Sequence, residues 1–236
     1  MSTEITFTKE NLDTFLKELG KEFRKLNGTK MPAEIILIGG AAVLANYGFR
    51  EMTYDVDAVI LASSAMKEAI NNVSDRLGLP NNWLNMDFKR TKSFSDKLVQ
   101  VSKYYKTYSN ILAIRTIAAE YLIAMKLMSG RQYKNDLSDV AGILLEHEKS
   151  NSTIFKETIF DAIKMLYEGR SELPHSSKKF IDDIFSSGNY QKVYLDIQET
   201  EKQAKETLLE FERNHPGELK GENIDTILEQ ARKRQV

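Results

Sequence analysis

Cysteine is absent from the 236 residues of this chain, which excludes disulfides and thiolate metal sites and is compatible with a reducing compartment. Histidine is almost as scarce: His147, His175 and His215 stand singly, without the spacing that pairs ligands, and read as surface residues. A zinc site is therefore not expected, and any metal should be a hard cation on oxygen ligands. The chain has no long uninterrupted apolar run and no basic-then-apolar leader, so neither a membrane span nor a signal peptide is expected, and the expected location is cytoplasmic. Charge of one sign is lacking too. A formal net charge of −1 gives no global attraction to nucleic acid, so any such role must rest on a local patch. There is no internal repeat and no low-complexity tract. What remains is a chain that is 42% hydrophobic, enough to bury a real core.

Apolar positions Leu12, Phe15, Leu16, Leu19, Phe23 and Leu26 recur at helical spacing from Thr8 to Leu26, and Asn27-Gly28 supplies a stop. Pro32 opens an unbroken apolar strand, Glu34 to Ile38, which suggests burial on both faces. A short helix of small residues follows from Ala41 to Tyr47, then a loop, then a strand from Asp55 to Leu61. A helix capped by Ser63 or Ser64 runs to about Leu77 and is broken by Gly78-Leu79-Pro80. The segment Asn81 to Phe88, with the single tryptophan Trp83, is expected to be a short helical piece. Leu98 to Tyr105 and Asn110 to Ile117 read as a hairpin. Helices are expected over Ala118 to Ser129 and Asp136 to Leu145, and beyond Ser150 the periodicity is helical throughout. The expected fold class is α/β (α+β): a mixed sheet flanked by helices over residues 1–149, and an all-helical part over 150–236.

Chemistry concentrates early. Gly39-Gly40, between a buried strand and a helix, suits a phosphate, because glycine lets a ligand approach backbone amides at a helix terminus of partial positive charge. Asp55-x-Asp57 places two carboxylates on one face of the next strand, where together they can ligate Mg²⁺. Such an ion would bridge the oxygens of a nucleoside triphosphate and help align an attacking hydroxyl. Each feature alone is also an ordinary turn or a solvated strand edge; their order and setting favour function. Lys126 lies among Leu122, Ile123, Met125, Leu127 and Met128, in a helix apolar nearly all round. A charge there must pair, snorkel or meet a ligand. Arg131, Asp136 and Asp139 suit either the site or helix capping, and Thr53 is as readily a plain β-former.

Glycine pair, short helix and Asp-x-Asp strand together resemble the polymerase-β-like nucleotidyltransferase superfamily. The string Arg50-x-x-Thr53-x-Asp55-x-Asp57, then Ala124-Met125-Lys126-Leu127, Gly130-Arg131 and Asp136-x-x-Asp139, resembles the AbiEii-type toxins and related uncharacterised bacterial nucleotidyltransferases. The resemblance covers roughly residues 34–145. It implies Mg²⁺-dependent transfer of a nucleotidyl group from a nucleoside triphosphate to an acceptor hydroxyl on RNA or protein, in a toxin that pairs with an antitoxin protein. It further implies Asp55 and Asp57 as metal ligands, Lys126 and Asp139 as catalytic residues, and a nucleotide cradle of Gly39, Gly40, Arg50, Thr53, Lys126, Arg131 and Asp136. Complete members of the superfamily carry a third acid on a later strand, and neither hairpin strand holds one. Asp87 and Asp96 are the nearest candidates, with Asp136 or Asp139 as substitutes. The alternative reading is a catalytically silent relative that binds a nucleotide or a partner protein through the same fold.

Residues 89–106 hold Lys89, Arg90, Lys92, Lys97, Lys103 and Lys106 against Asp96 alone, with Tyr104, Tyr105 and Tyr108 close by. Such a run could track an RNA backbone and stack bases, but a strand edge protected by lysines is the commoner explanation. Arg115, on an otherwise apolar strand, should pair with a core acid or reach substrate.

Overall fold

The computed structural model of the protein describes residues 5–131, 133–168 and 173–234. Helix α1 spans Lys9–Asn27 and opens with a reciprocal cap: the Thr8 hydroxyl accepts from the Asn11 amide while the Asn11 side chain accepts from Thr8 N–H. Strand β1 (Ala33–Leu37) is fully buried at Ile35, Ile36 and Leu37, and helix α2 begins directly at Gly39 and ends at Asn46. Strand β2 (Val56–Leu61) starts one residue after Asp55 and is followed by α3 (Ala65–Leu77).

The expected helical piece around Trp83 is instead a two-residue strand, β3 (Leu84–Asn85), followed by a 3-10 turn at Asp87–Arg90. Asn82 at φ 62° cannot continue a helix. The Trp83 carbonyl accepts from Val56 N–H, and its indole stacks on Phe7 and meets the edge of Phe15. Sheet pairing and aromatic packing thus override the local helical pattern.

The hairpin is present but shifted: β4 spans Ser102–Tyr108 and β5 Leu112–Ile117. Ser95 caps a 3-10 turn over Asp96–Val99, which removes Leu98 from the strand, and the reversal uses Ser109 and Asn110, both at positive φ. Helices α4 (Ala119–Ser129), α5 (Asp136–Lys149), α6 (Lys156–Tyr167), α7 (His175–Ser187), α8 (Tyr190–Asn214) and α9 (Ile224–Arg234) complete the chain.

The five strands form one mixed sheet in the order β3-β2-β1-β5-β4. β1 pairs antiparallel with β2 and parallel with β5, so the strand ends that carry the glycines and the acids emerge side by side: Leu37 pairs with Ala58, and Ile38 N–H donates to the Asp57 carbonyl at 3.0 Å. Helix α1 packs on α3, α4 on α6, and α5 on α8. One hydrophobic cluster runs from Phe7 through the sheet to Ile159, Phe180 and Ile184 of the C-terminal helices. No helix among the described residues is long and apolar enough to cross a membrane.

The basic, tyrosine-rich stretch is built into this frame. β4 is an edge strand whose Lys103 and Lys106 face solvent. Tyr105 and Tyr108 direct their hydroxyls to Asp13 of α1 at 3.1 and 2.7 Å, joined by Lys106 at 2.7 Å, while Tyr104 stands exposed. Arg115 neither meets a core acid nor lines the site described below; it donates to the Ser102 hydroxyl and carbonyl. His147, expected as a plain surface residue, lies between the Tyr47 hydroxyl at 3.2 Å and the Ser152 carbonyl at 3.1 Å.

Candidate functional site

At the carboxyl end of β1, the chain passes from Ile38 into α2 with no side-chain cap, so the first-turn amides of Gly39, Gly40 and Ala41 have no partner within the helix. A cavity of about 220 Å³ opens there, lined by Gly39, Asp55, Asp57, Lys126, Arg131 and Asp136. Asp87, Thr91 and Ser93 complete its wall from the segment after β3. Residues as far apart in the chain as Ile38 and Asp136 thus share one concavity.

The glycines divide the work. Gly39 has φ 55°, a left-handed conformation that suits glycine, and a side chain there would begin 3.6 Å from Asp57 Oδ2. Gly40 turns the other way: a Cβ on it would meet the Thr53 hydroxyl at 2.7 Å and the Arg50 guanidinium at 2.9 Å. Gly40, Arg50 and Thr53 therefore lie outside the cavity wall. Thr53 is buried, bridges to Phe7 through its backbone, and donates its hydroxyl to the Asp55 carbonyl at 3.2 Å. It shapes the approach to Asp55.

Asp55 is exposed at the mouth, whereas Asp57 is half-buried. Burial, and the neighbouring Asp55 charge, push the Asp57 carboxyl up to about 6, against the opposing pull of Lys134, Arg131 and Lys126. Two acids forced together in this way invite a cation. No third ligand joins them: among the described residues no group of three or more histidine, cysteine, aspartate or glutamate side chains could hold a metal. Asp87 lines the same cavity, while Asp96 lies in the 3-10 turn before β4, away from its wall. The donor set still fits Mg²⁺, which is commonly held by one or two carboxylates with water and substrate phosphate completing the shell.

Behind the acids stands a buried ion chain. Lys126 Nζ lies 3.0 Å from Asp136 Oδ1 and 2.7 Å from Asp139 Oδ2. Asp136 is also gripped by Arg131 Nε at 2.8 Å, and Asp139 by Arg50 Nη1, which reaches both of its oxygens, the first at 2.7 Å. Burial opposes the Lys126 charge, but Asp139 and Asp136 outweigh it and the net push is upward. Burial likewise opposes the Asp136 charge, yet Lys126 and Arg131 hold its carboxyl well below the usual carboxylate range. Three cations against two carboxylates leave the chain with one positive charge. Lysine offers three donors, of which Asp136 and Asp139 occupy two, so one remains for the cavity that Lys126 lines. Arg50 and Asp139 border a neighbouring cavity of about 280 Å³ together with Tyr194 and Gln198.

Residues 14–205 match a family described as nucleotidyltransferase of unknown function (DUF6036). The chain belongs to this nucleotidyltransferase family. The match runs from α1 into α8 and so includes the sheet, the cavity and most of the C-terminal helices. No curated protein and no solved structure matches the chain.

Sequence reasoning missed Lys134, Thr91 and Ser93. Lys134 lies in the polar link Arg131 to Asn135, where its only signal is a second cation following Gly130-Arg131. Thr91 and Ser93 carry no signal, because a 3-10 turn, not a strand, brings them to the wall.

Proposed function

We propose that the protein transfers a nucleotidyl group from a nucleoside triphosphate to an acceptor hydroxyl, with Mg²⁺ at Asp55 and Asp57. The observation that carries this reading is the convergence of the α2 amide terminus, the acid pair and Lys126 on one cavity. In it, the Gly39 end of α2 receives phosphate oxygens without a side chain in the way. Lys126 and Arg131 neutralise charge on the triphosphate, and Asp136 and Asp139 keep Lys126 protonated and aimed. Asp55 and Asp57 hold the ion, which when bound supplies charge neutralisation and helps orient the acceptor oxygen. Positioning and electrostatics carry most of such a reaction, which suits a site whose side chains are fixed by buried pairs.

Kinship with the AbiEii-type toxins is supported by Ala124-Met125-Lys126-Leu127, Gly130-Arg131 and Asp136-x-x-Asp139 falling on the cavity and its ion chain. On that reading the acceptor is RNA or protein and an antitoxin protein is the partner.

The experiment is incubation with labelled triphosphates, Mg²⁺ and cell RNA or lysate. Label should appear with the unaltered chain and vanish in Asp55→Ala and Asp57→Ala; labelling that survives both substitutions sinks the assignment. Among the described residues no third acid joins the pair as a metal-holding group, which favours one rival, a silent relative that binds nucleotide without turnover. Calorimetric binding of a triphosphate with no labelling under any condition would establish that rival.

A further inference from the structure

β2 has an unfilled outer edge. Ile38 N–H donates inward to the Asp57 carbonyl, while Val56 N–H donates outward to the Trp83 carbonyl. Because backbone groups alternate sides along a strand, those of Val56, Ala58 and Ile60 face away from β1. β3 takes up this edge only through the pairs Val56 with Leu84 and Asp57 with Asn85, and then turns off into the 3-10 turn at Asp87–Arg90. β2 continues to Leu61. Where β3 would have continued, there is a cavity of about 580 Å³.

Its lining suits one kind of occupant. Apolar side chains from three elements, Ile60, Met66, Ile70, Leu84 and Met86, form part of the wall. Lys67, Lys89 and Arg90 also line it; all three are exposed and none has an ion-pair partner among the described residues. Among the described residues, Asp87 is the sole acid in the lining. Among the described residues no aromatic ring lines the cavity, which does not offer the stacking platform on which single-stranded nucleic acids are bound. A free strand edge beside apolar recesses is the geometry that accepts an added peptide strand, with main-chain bonds giving affinity and alternate side chains filling the recesses.

We propose that this notch is a docking site for an extended, acidic segment of a partner protein, which adds as a short strand to β2 beyond β3 and pairs its carboxylates with Lys67, Lys89 and Arg90. Asp87 belongs both to this notch and to the cavity of Asp55 and Asp57, so the bound segment ends at the mouth of the candidate site. The proposal is independent of nucleotidyl transfer and stands or falls on binding alone.

A displayed library of random peptides, panned on the full-length protein, provides the test, with a mixed-sequence single-stranded oligonucleotide as a parallel probe. Selected peptides should alternate Asp or Glu with Val, Ile or Leu, and lose about tenfold or more in affinity when Lys89→Glu and Arg90→Glu are combined. Amide exchange at Ile60 should slow on binding, a readout that mere charge attraction would not give. The proposal is overturned by no selected peptides, by binding indifferent to the charge reversal, by unchanged amide exchange at Ile60 on binding, or by an oligonucleotide that binds through Lys89 and Arg90 where peptides do not.

Discussion

Replacing Lys126 by methionine keeps most of the length and apolar contacts of the side chain and removes its ammonium group, with the charge and the N–H donors. The ammonium is almost wholly buried, with Asp136 and Asp139 still more so. Breaking a buried pair by deleting one partner typically costs about 3–5 kcal/mol, because the other charge is stranded. Here neither acid is stranded: Asp136 keeps Arg131 at 2.8 Å, and Asp139 keeps both contacts with Arg50. The expected loss is therefore smaller, about 2–3 kcal/mol in urea unfolding at neutral pH, or roughly 5–10 °C in melting temperature. Acid sensitivity gives a second, independent readout. A carboxyl held below its ordinary value stabilises the fold above that value and loses the contribution as pH falls. With Lys126 gone, Asp136 is less strongly held, so the acid limb of stability should be shallower than in the unaltered protein. A Lys126→Met variant as stable as the parent, or with an unchanged acid limb, would refute the view that this chain of charges is mutually supporting.

Glu201 of α8 accepts from the amides of Leu137 and Ser138 at 3.1 and 3.3 Å, and burial pushes its carboxyl up to about 8 from 4.5. A raised value means stability fully present below pH 4.5 and lost as pH rises toward about 8; Glu201→Gln should flatten that decline, with on the order of 5 kcal/mol as the upper bound. Gly142→Ala should cost about 1–3 kcal/mol by urea titration, since the new Cβ would fall 2.6 Å from the Phe49 ring. Asp13→Ala, which takes the shared acceptor from Tyr105, Tyr108 and Lys106, should cost about 1 kcal/mol and speed amide exchange in β4.

The parts legible in the sequence are those governed by short-range pattern. Helical spacing located α1 and the unbroken apolar run located β1, while the Asp-x-Asp pair falls at the start of β2, Asp57 within the strand and Asp55 one residue before it. Lys126 stands out because a charge in an apolar helix must pair, snorkel or meet a ligand, and it pairs with both Asp136 and Asp139. What was not legible depends on contacts between distant segments. Trp83 reads as helical until Val56 offers it a donor and Phe7 a stacking surface. Gly39 and Gly40 look equivalent in sequence, yet one faces Asp57 and the other Arg50, a distinction set by the direction in which α2 leaves the sheet. Arg50 meets Asp139 across 89 residues, which no local spacing could reveal.

Three contacts fasten the segment after β3 to the end of α6: Ser95 donates to the Leu166 carbonyl at 2.7 Å, Lys97 to the Met165 carbonyl at 2.6 Å, and the Tyr167 hydroxyl to the Ser93 carbonyl at 2.6 Å. Ser93 is also part of the cavity wall. Chains are made from the amino end at about 5–20 residues per second. A nascent chain emerging from the ribosome therefore exposes β1, α2 and β2, with Asp55 and Asp57, for several seconds before α6 follows. Until then that wall lacks these three anchors, and the cavity takes its final form only late in synthesis.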